Sequence, residues 1–495
     1  MSLLEIRTEG LVDDWALLRW TDSAGDALCL TPPTVGAVAE LPPAPFGVAY
    51  PARLEGVGRV YLWANGFTAR QPTLTLEPAL TTRYLEAASA LVKQYARRGV
   101  VMETAQQHLQ LAQAMQTEQR WAECLAASVA AAEASAVSLA RARLERMRGR
   151  TAFLWGVWVD APAALPFPAL APPLNLVTLG TVEPSDDWRA LIQQVQGTRA
   201  ALAAFWAECD LCPHAEDALR ETVAAYRGSV RYWNIAANLH RSEPSERAAQ
   251  QIGALCEVAR ATDFGVVRLL HGAHGYYEPS SPYALLESCA ETGTPYEAIH
   301  LEWQWYDGAL YDLDQLLERY GELGKPIHLS ISLPPEGGWG VFSRAEPLAW
   351  LEGACLIALS KPYVIALQVP LRATERSAGA LDTSGQGTPR RTGQGATRRL
   401  RRRSAAAGVG RPPRCSSSGA ATNCPPSPLC GSPTGSHPLF SVFRKQNCRE
   451  YTPDDPPTRP NRPESRRISP ETRFPPLTKL LMVWYTPIRL LDLRG

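Results

Sequence analysis

Between residues 151 and 370 the sequence alternates short apolar runs with amphipathic stretches, and this alternation constrains the fold more than any other feature of the chain. A strand buried on both faces is apolar throughout, whereas the helix returning the chain to the same edge is apolar on one side only. Eight runs read as strands, at 151–159, 174–179, 201–206, 230–236, 265–270, 298–305, 327–333 and 364–369. Helical patterns at 187–196, 214–226, 245–261, 282–292, 312–323 and 345–360 separate most of them, which predicts an α/β chain folded as a (β/α)8 barrel. The last run leads into 371–450, rich in Arg, Pro, Ser and Gly, so the closing helix of the barrel is missing from the pattern.

The rest of the chain divides around this block. Residues 1–80 hold strand-like runs punctuated by Pro and Gly and read as a small β-rich module, with a strand from Gly58 ending in a turn at Asn65 and Gly66. Residues 81–150 are Ala-rich, contain no Pro and carry only Gly99 and Gly149 as breakers, which predicts a connector of two long helices. The net charge of +1 conceals a break: the first 370 residues sum to −13 and residues 371–495 to +14. The basic segment reads as a disordered tail or as the product of a reading-frame error. Its cluster at 398–403 would suit a nucleic-acid arm but lacks aromatic residues for base stacking, so no nucleic-acid partner is expected.

Composition narrows the class further. With 45% hydrophobic and 20% charged residues, the chain is neither globally disordered nor a coiled coil. No run of 18 apolar residues occurs and no basic stretch followed by an apolar one opens the chain, so a cytoplasmic location without a membrane partner is expected, or an extracellular one if a signal precedes Met1. Eleven scattered cysteines do not make a disulfide framework. Cys209 and Cys212 lack a second pair, His271 and His274 lack the spacing of a helical zinc motif, and no phosphate-binding glycine loop is present, so neither metal nor cofactor is expected.

Barrel sites lie where strands end, at the C-terminal face. There the fourth run follows Tyr226, Arg227 and Gly228 and carries Trp233 and Asn234, the sixth carries His300, Glu302 and Gln304, and the seventh follows Gly324, Lys325, Pro326, Ile327 and His328. In this order and spacing, over residues 151–370, the chain resembles glycoside hydrolase family ten, the endo-β-1,4-xylanases, in its divergent bacterial branch. The resemblance implies a barrel acting on or binding β-1,4-linked xylan-type glycans. It also exposes two departures: Asn238 stands at the family's acid/base glutamate and Ile331 at its nucleophile. Retaining glycosidases need two carboxyl groups about 5–5.5 Å apart. The remaining carboxylates near the same ends are Glu302 and Glu336, the candidate relocated pair.

Aromatic and polar residues at these strand ends make the candidate sugar-binding set: Trp233, Asn238, His240, His271, His300, Trp303, Gln304, Trp305, His328 and Trp339. Indole faces stack beneath sugar rings, and amide or imidazole groups bond hydroxyls. Core packing is the competing reading for Trp303 and Trp305, which share one side of their run, and an exposed loop favours Trp339. Two functions follow: a glycoside-hydrolase-like enzyme with displaced acids, or a non-catalytic glycan-binding protein that keeps the cleft.

Overall fold

The computed structural model describes residues 5–8, 18–28, 45–54, 58–68, 73–147, 153–159, 174–198, 200–206, 214–236, 246–273, 282–332 and 346–370, all within one compact unit. Near the N-terminus β1 (Glu5–Arg7) pairs in parallel with β5 (Thr73–Thr75), while β2 (Arg19–Thr21), β3 (Phe46–Leu54) and β4 (Gly58–Phe67) form an antiparallel sheet. Trp20 packs edge-on against Phe46 at 5.3 Å in its core. Asn65 and Gly66 do not close a hairpin, as the dipeptide predicts. They lie inside β4, where the register with β3 slips between Phe46 and Val48, and Gly66 at φ 85° supplies the left-handed residue that such a bulge requires.

Three helices follow, not two: α1 (Leu76–Ala96), α2 (Glu103–Thr117) and α3 (Trp121–Arg146). The first break has its glycine, Gly99 at φ 75°, but the second is made by Gln119 at φ 58°, a non-glycine residue in the left-handed region that no sequence rule marks. By length and composition α3 could cross a membrane, with a mean hydropathy of 1.3 over 18 residues. Instead its small residues Ala127, Ala131, Ala132, Ala136 and Ala140 are buried by neighbouring elements.

The remaining strands close a parallel barrel in the order β6 (Leu154–Val159), β7 (Leu176–Val182), β8 (Ala201–Trp206), β9 (Tyr232–Ala236), β10 (Val267–Ala273), β11 (Ala298–Gln304), β12 (Ile327–Ser332) and β13 (Val364–Pro370), with β13 pairing back onto β6. Each lies within three residues of its predicted run. Around them run α4 (Asp186–Gln196), α5 (Ala215–Ala225), α6 (Glu246–Thr262), α7 (Pro282–Glu291), α8 (Leu310–Gly321) and α9 (Glu346–Ser360). The fold is a (β/α)8 barrel preceded by a β module and a helical layer. The tail, 371–495, lies outside the described residues.

Strand parity then sorts the side chains. Trp155, Val157, Leu202, Ala204, Trp233, Ile235, Ile299, Leu301, Trp303, Leu329 and Ile331 face outward into the apolar shell under the helices. Their neighbours face the lumen.

Candidate active site at the barrel mouth

The lumen is polar at mid-height. His300 on β11 places Nδ1 3.1 Å from the Asn234 side-chain oxygen of β9, and Nε2 2.6 Å from Ser330 Oγ of β12 and 2.8 Å from Gln368 Nε2 of β13. Thr178 on β7 donates in turn to the Gln368 side-chain oxygen. These partners define the tautomer: Nδ1–H donates to Asn234, and Nε2 accepts from Ser330 and Gln368. A second ring proton on Nε2 would forfeit the Gln368 donor and keep only Ser330 Oγ as an acceptor, which disfavours the imidazolium. Burial acts first in the same direction and the fields of His271 and His328 add to it, holding the His300 pKa well below its ordinary value. Nearer the strand starts, His328 lies 5.1 Å from the Tyr232 ring, and burial lowers its pKa to about 4.

Above this layer the mouth is built around Glu302. Its carboxylate accepts from Gln304 Nε2 at 3.2 Å and from Ser332 Oγ at 3.5 Å, with His271 Nε2 3.8 Å from the second oxygen. The Glu302 side chain keeps 15% of its surface exposed, which leaves it within reach of a ligand. The opposite wall is aromatic: Trp158 of β6 stacks on Phe205 of β8 at 5.0 Å and 13°, and Phe205 meets the His271 and His300 rings at 4.9 and 5.0 Å. Beyond β11 the chain turns sharply. Asp307 accepts from the Gln304 main-chain N–H at 2.8 Å and is itself buried, so loss of solvation raises its pKa well above its ordinary value, against that hydrogen bond and with the nearby Glu302 charge adding to the shift.

The structure therefore divides the sequence candidates. Glu302, Gln304 and His271 meet at the mouth, while His300 and His328 lie deeper, each 1% exposed and away from any ligand at the surface. Trp233 and Trp303 are the principal correction: at 0% and 1% exposure on the outward side of β9 and β11, their indole faces are spent on the core. Trp305, 2% exposed, packs edge-on against Tyr306 at 5.6 Å. Ile331 also belongs to the shell, so the register expected for the nucleophile points away from the lumen and its neighbours Ser330 and Ser332 face inward. Asn238, His240, Glu336 and Trp339 lie outside the described residues. Sequence reasoning missed Trp158, Phe205, Asn234, Ser330, Ser332, Gln368 and Asp307. The signal for all but Asp307 was parity, since each lies an even number of residues from another lumen position on its strand or directly across from one.

Among the described residues no group of three or more His, Cys, Asp or Glu is arranged to hold a metal ion. No protein-family model and no curated protein matches this chain. Solved structures similar to it include a GH10 endoxylanase retrieved from sugarcane soil metagenome, 10% identical over 46% of this chain and 87% of its own, with a TM-score of 0.36. A thermostable mutant of a xylanase from Cellvibrio japonicus is 11% identical over 44% of this chain and 86% of its own, TM-score 0.34. A β-mannanase from Streptomyces thermolilacinus is 16% identical over 45% and 80%, TM-score 0.33. The barrel assignment rests on the closed order of eight parallel strands.

Proposed function

We propose that the protein is a glycoside-hydrolase-like barrel whose mouth binds a β-1,4-linked, xylan-type glycan. The observation that carries this reading is the pairing of a hydrogen-bonding edge, Glu302 with Gln304, Ser332 and His271, with the half-buried indole of Trp158, which is backed by the buried Phe205 ring. A sugar ring has one apolar face and a rim of hydroxyls, and such a site answers both. Binding without turnover is the form favoured, because Ile331 faces the shell and Glu302 is the carboxylate that the described lumen presents at its mouth. Hydrolysis is the second reading, and Asp307 is what favours it: a carboxyl group whose pKa burial raises, near a Glu302 carboxylate that accepts from Gln304 and Ser332, is a pair whose environments push their proton affinities apart.

The test is titration of the purified chain with xylohexaose by calorimetry, with mass spectrometry of the sugar after prolonged incubation. Saturable heat with intact sugar supports the binding reading. Shortened sugar that disappears in Glu302→Gln establishes the hydrolytic one. Absence of both heat and cleavage overturns the glycan assignment.

A further inference from the structure

One side chain from each of the eight strands enters a single cluster beneath the mouth. Trp158 of β6, Phe205 of β8 and His271 of β10 supply rings, while Thr178 of β7, Asn234 of β9, Ser330 of β12 and Gln368 of β13 supply hydrogen-bonding groups. His300 of β11 joins the two sets. Barrel interiors are ordinarily filled by layers of four side chains from alternate strands. A cluster that draws on all eight is organised by the residue that spans it.

His300 is held by its nitrogens and loaded on its ring. Asn234, Ser330 and Gln368 engage the two nitrogens at 3.1, 2.6 and 2.8 Å, and Thr178 donates to Gln368 in turn. Three partners on three strands constrain the plane of the imidazole. Against that plane rest Phe205 and His271, each at 5.0 Å, and these two meet each other at 4.9 Å. Phe205 carries the Trp158 indole, stacked at 5.0 Å and 13°, whereas Trp158 itself lies 6.3 Å from His300. His300 and Phe205 are 1% and 5% exposed and Trp158 is half-buried, so the order from floor to surface is His300, Phe205, Trp158. On the side of β11, His271 Nε2 lies 3.8 Å from Glu302.

We propose that His300 is a positioning residue for glycan binding: it seats the Phe205 ring that carries Trp158, and thereby sets the height of the stacking indole relative to Glu302. The proposal rests on the glycan reading of the mouth and adds to it a residue buried below the reach of the sugar. Protein interiors are packed at crystal-like density, so removing the ring beneath Phe205 leaves a space into which Phe205 sinks, and the indole stacked on it follows. A binding site tolerates little of this, because misplacement by about 1 Å already forfeits much of a contact.

Xylohexaose affinity per folded molecule, measured by calorimetry on the full chain, tests the path. His300→Gln keeps an acceptor for Ser330 and Gln368 but removes the ring, and Phe205→Leu keeps apolar volume but removes the aromatic face under the indole. Each is expected to weaken binding about tenfold. The double variant is expected to bind no more weakly than the weaker single one, because both act through the same indole. Unchanged affinity in His300→Gln overturns the proposal, since a purely structural role lowers stability without altering the molecules that remain folded. Losses that multiply to about a hundredfold overturn it as well, because His300 then acts by a route other than Phe205. Should His300→Gln not fold, Ser330→Ala, which releases one edge of the imidazole, enters the same cycle and is read by the same outcomes. The crystal structure of whichever variant folds gives the geometry without sugar: Phe205 and Trp158 are expected to shift by about 1 Å or more relative to Glu302, and unmoved rings overturn the proposal. Shifted rings in a chain whose unaltered form binds no xylohexaose overturn the glycan reading and leave the seating of Trp158 by His300 standing.

Discussion

At the scale of single residues, parity decides which side chains serve the site. Trp233 and Glu302 both stand near strand ends, yet one is sealed into the shell and the other opens onto the mouth. Truncation should separate these roles. Trp233→Ala is expected to cost about 3–5 kcal/mol in urea unfolding, because it empties a filled core position, and to leave sugar affinity per folded molecule unchanged. Glu302→Gln should do the reverse, weakening xylohexaose binding by about tenfold through loss of a charge-assisted acceptor while the unfolding midpoint hardly moves. Ile331→Glu, the substitution a motif alone would recommend to restore a nucleophile, should destabilise the chain by about 3–5 kcal/mol, since it places an unpaired carboxylate in the shell. Recovered hydrolysis with unchanged stability in that variant would contradict the outward register of Ile331.

At the scale of elements, α8 is the strut to which the N-terminal layers attach. Its first turn takes Glu133, Arg83 and Tyr84, and near its end Arg319 makes a two-pronged pair with Asp26, at 2.8 and 2.6 Å, while lying over Tyr283. Between these, Lys361 is 1% exposed and reaches both Asp314 and Glu318 at 2.6 Å, with Arg143 of α3 and the Tyr363 hydroxyl completing the group. Lys361→Met would leave two carboxylates facing one arginine. The expected loss is about 3–5 kcal/mol by urea unfolding, the usual result of stranding a buried charge; a loss below about 1 kcal/mol would show the cluster to be surface-like. These attachments were not legible in the sequence. Ion pairs between α1 and α8 span more than two hundred residues, and no local pattern couples positions that far apart.

For the whole molecule, the lumen sets the response to acid. His328 is buried with its pKa lowered to about 4, below the ordinary 6.5, so it binds fewer protons folded than unfolded. Its stabilising contribution is present above pH 6.5 and is lost as pH falls toward 4, by about 3 kcal/mol for this one group. His300, also held neutral, works in the same direction. Urea midpoints measured across that interval should fall steeply in the unaltered chain and less steeply in His328→Phe; equal slopes would place the acid sensitivity elsewhere. The eight strands could be read in advance because a doubly buried strand must be apolar along its length, a local and cumulative signal. The helix break at Gln119 could not, because a non-glycine residue takes the left-handed conformation there and neither glycine nor proline marks the site. The site divides in the same way. Glu302, Gln304 and His271 were visible as polar residues where a strand should end, whereas Trp158, Phe205 and the Asn234, Ser330 and Gln368 partners of His300 were not. Hydrophobic periodicity is written residue by residue, so the sequence by itself determined the barrel and its strand order. Which face of each strand looks inward, and which distant groups meet there, was decided only when the sheet closed, because closure converts a one-residue difference in register into the opposite side of the wall.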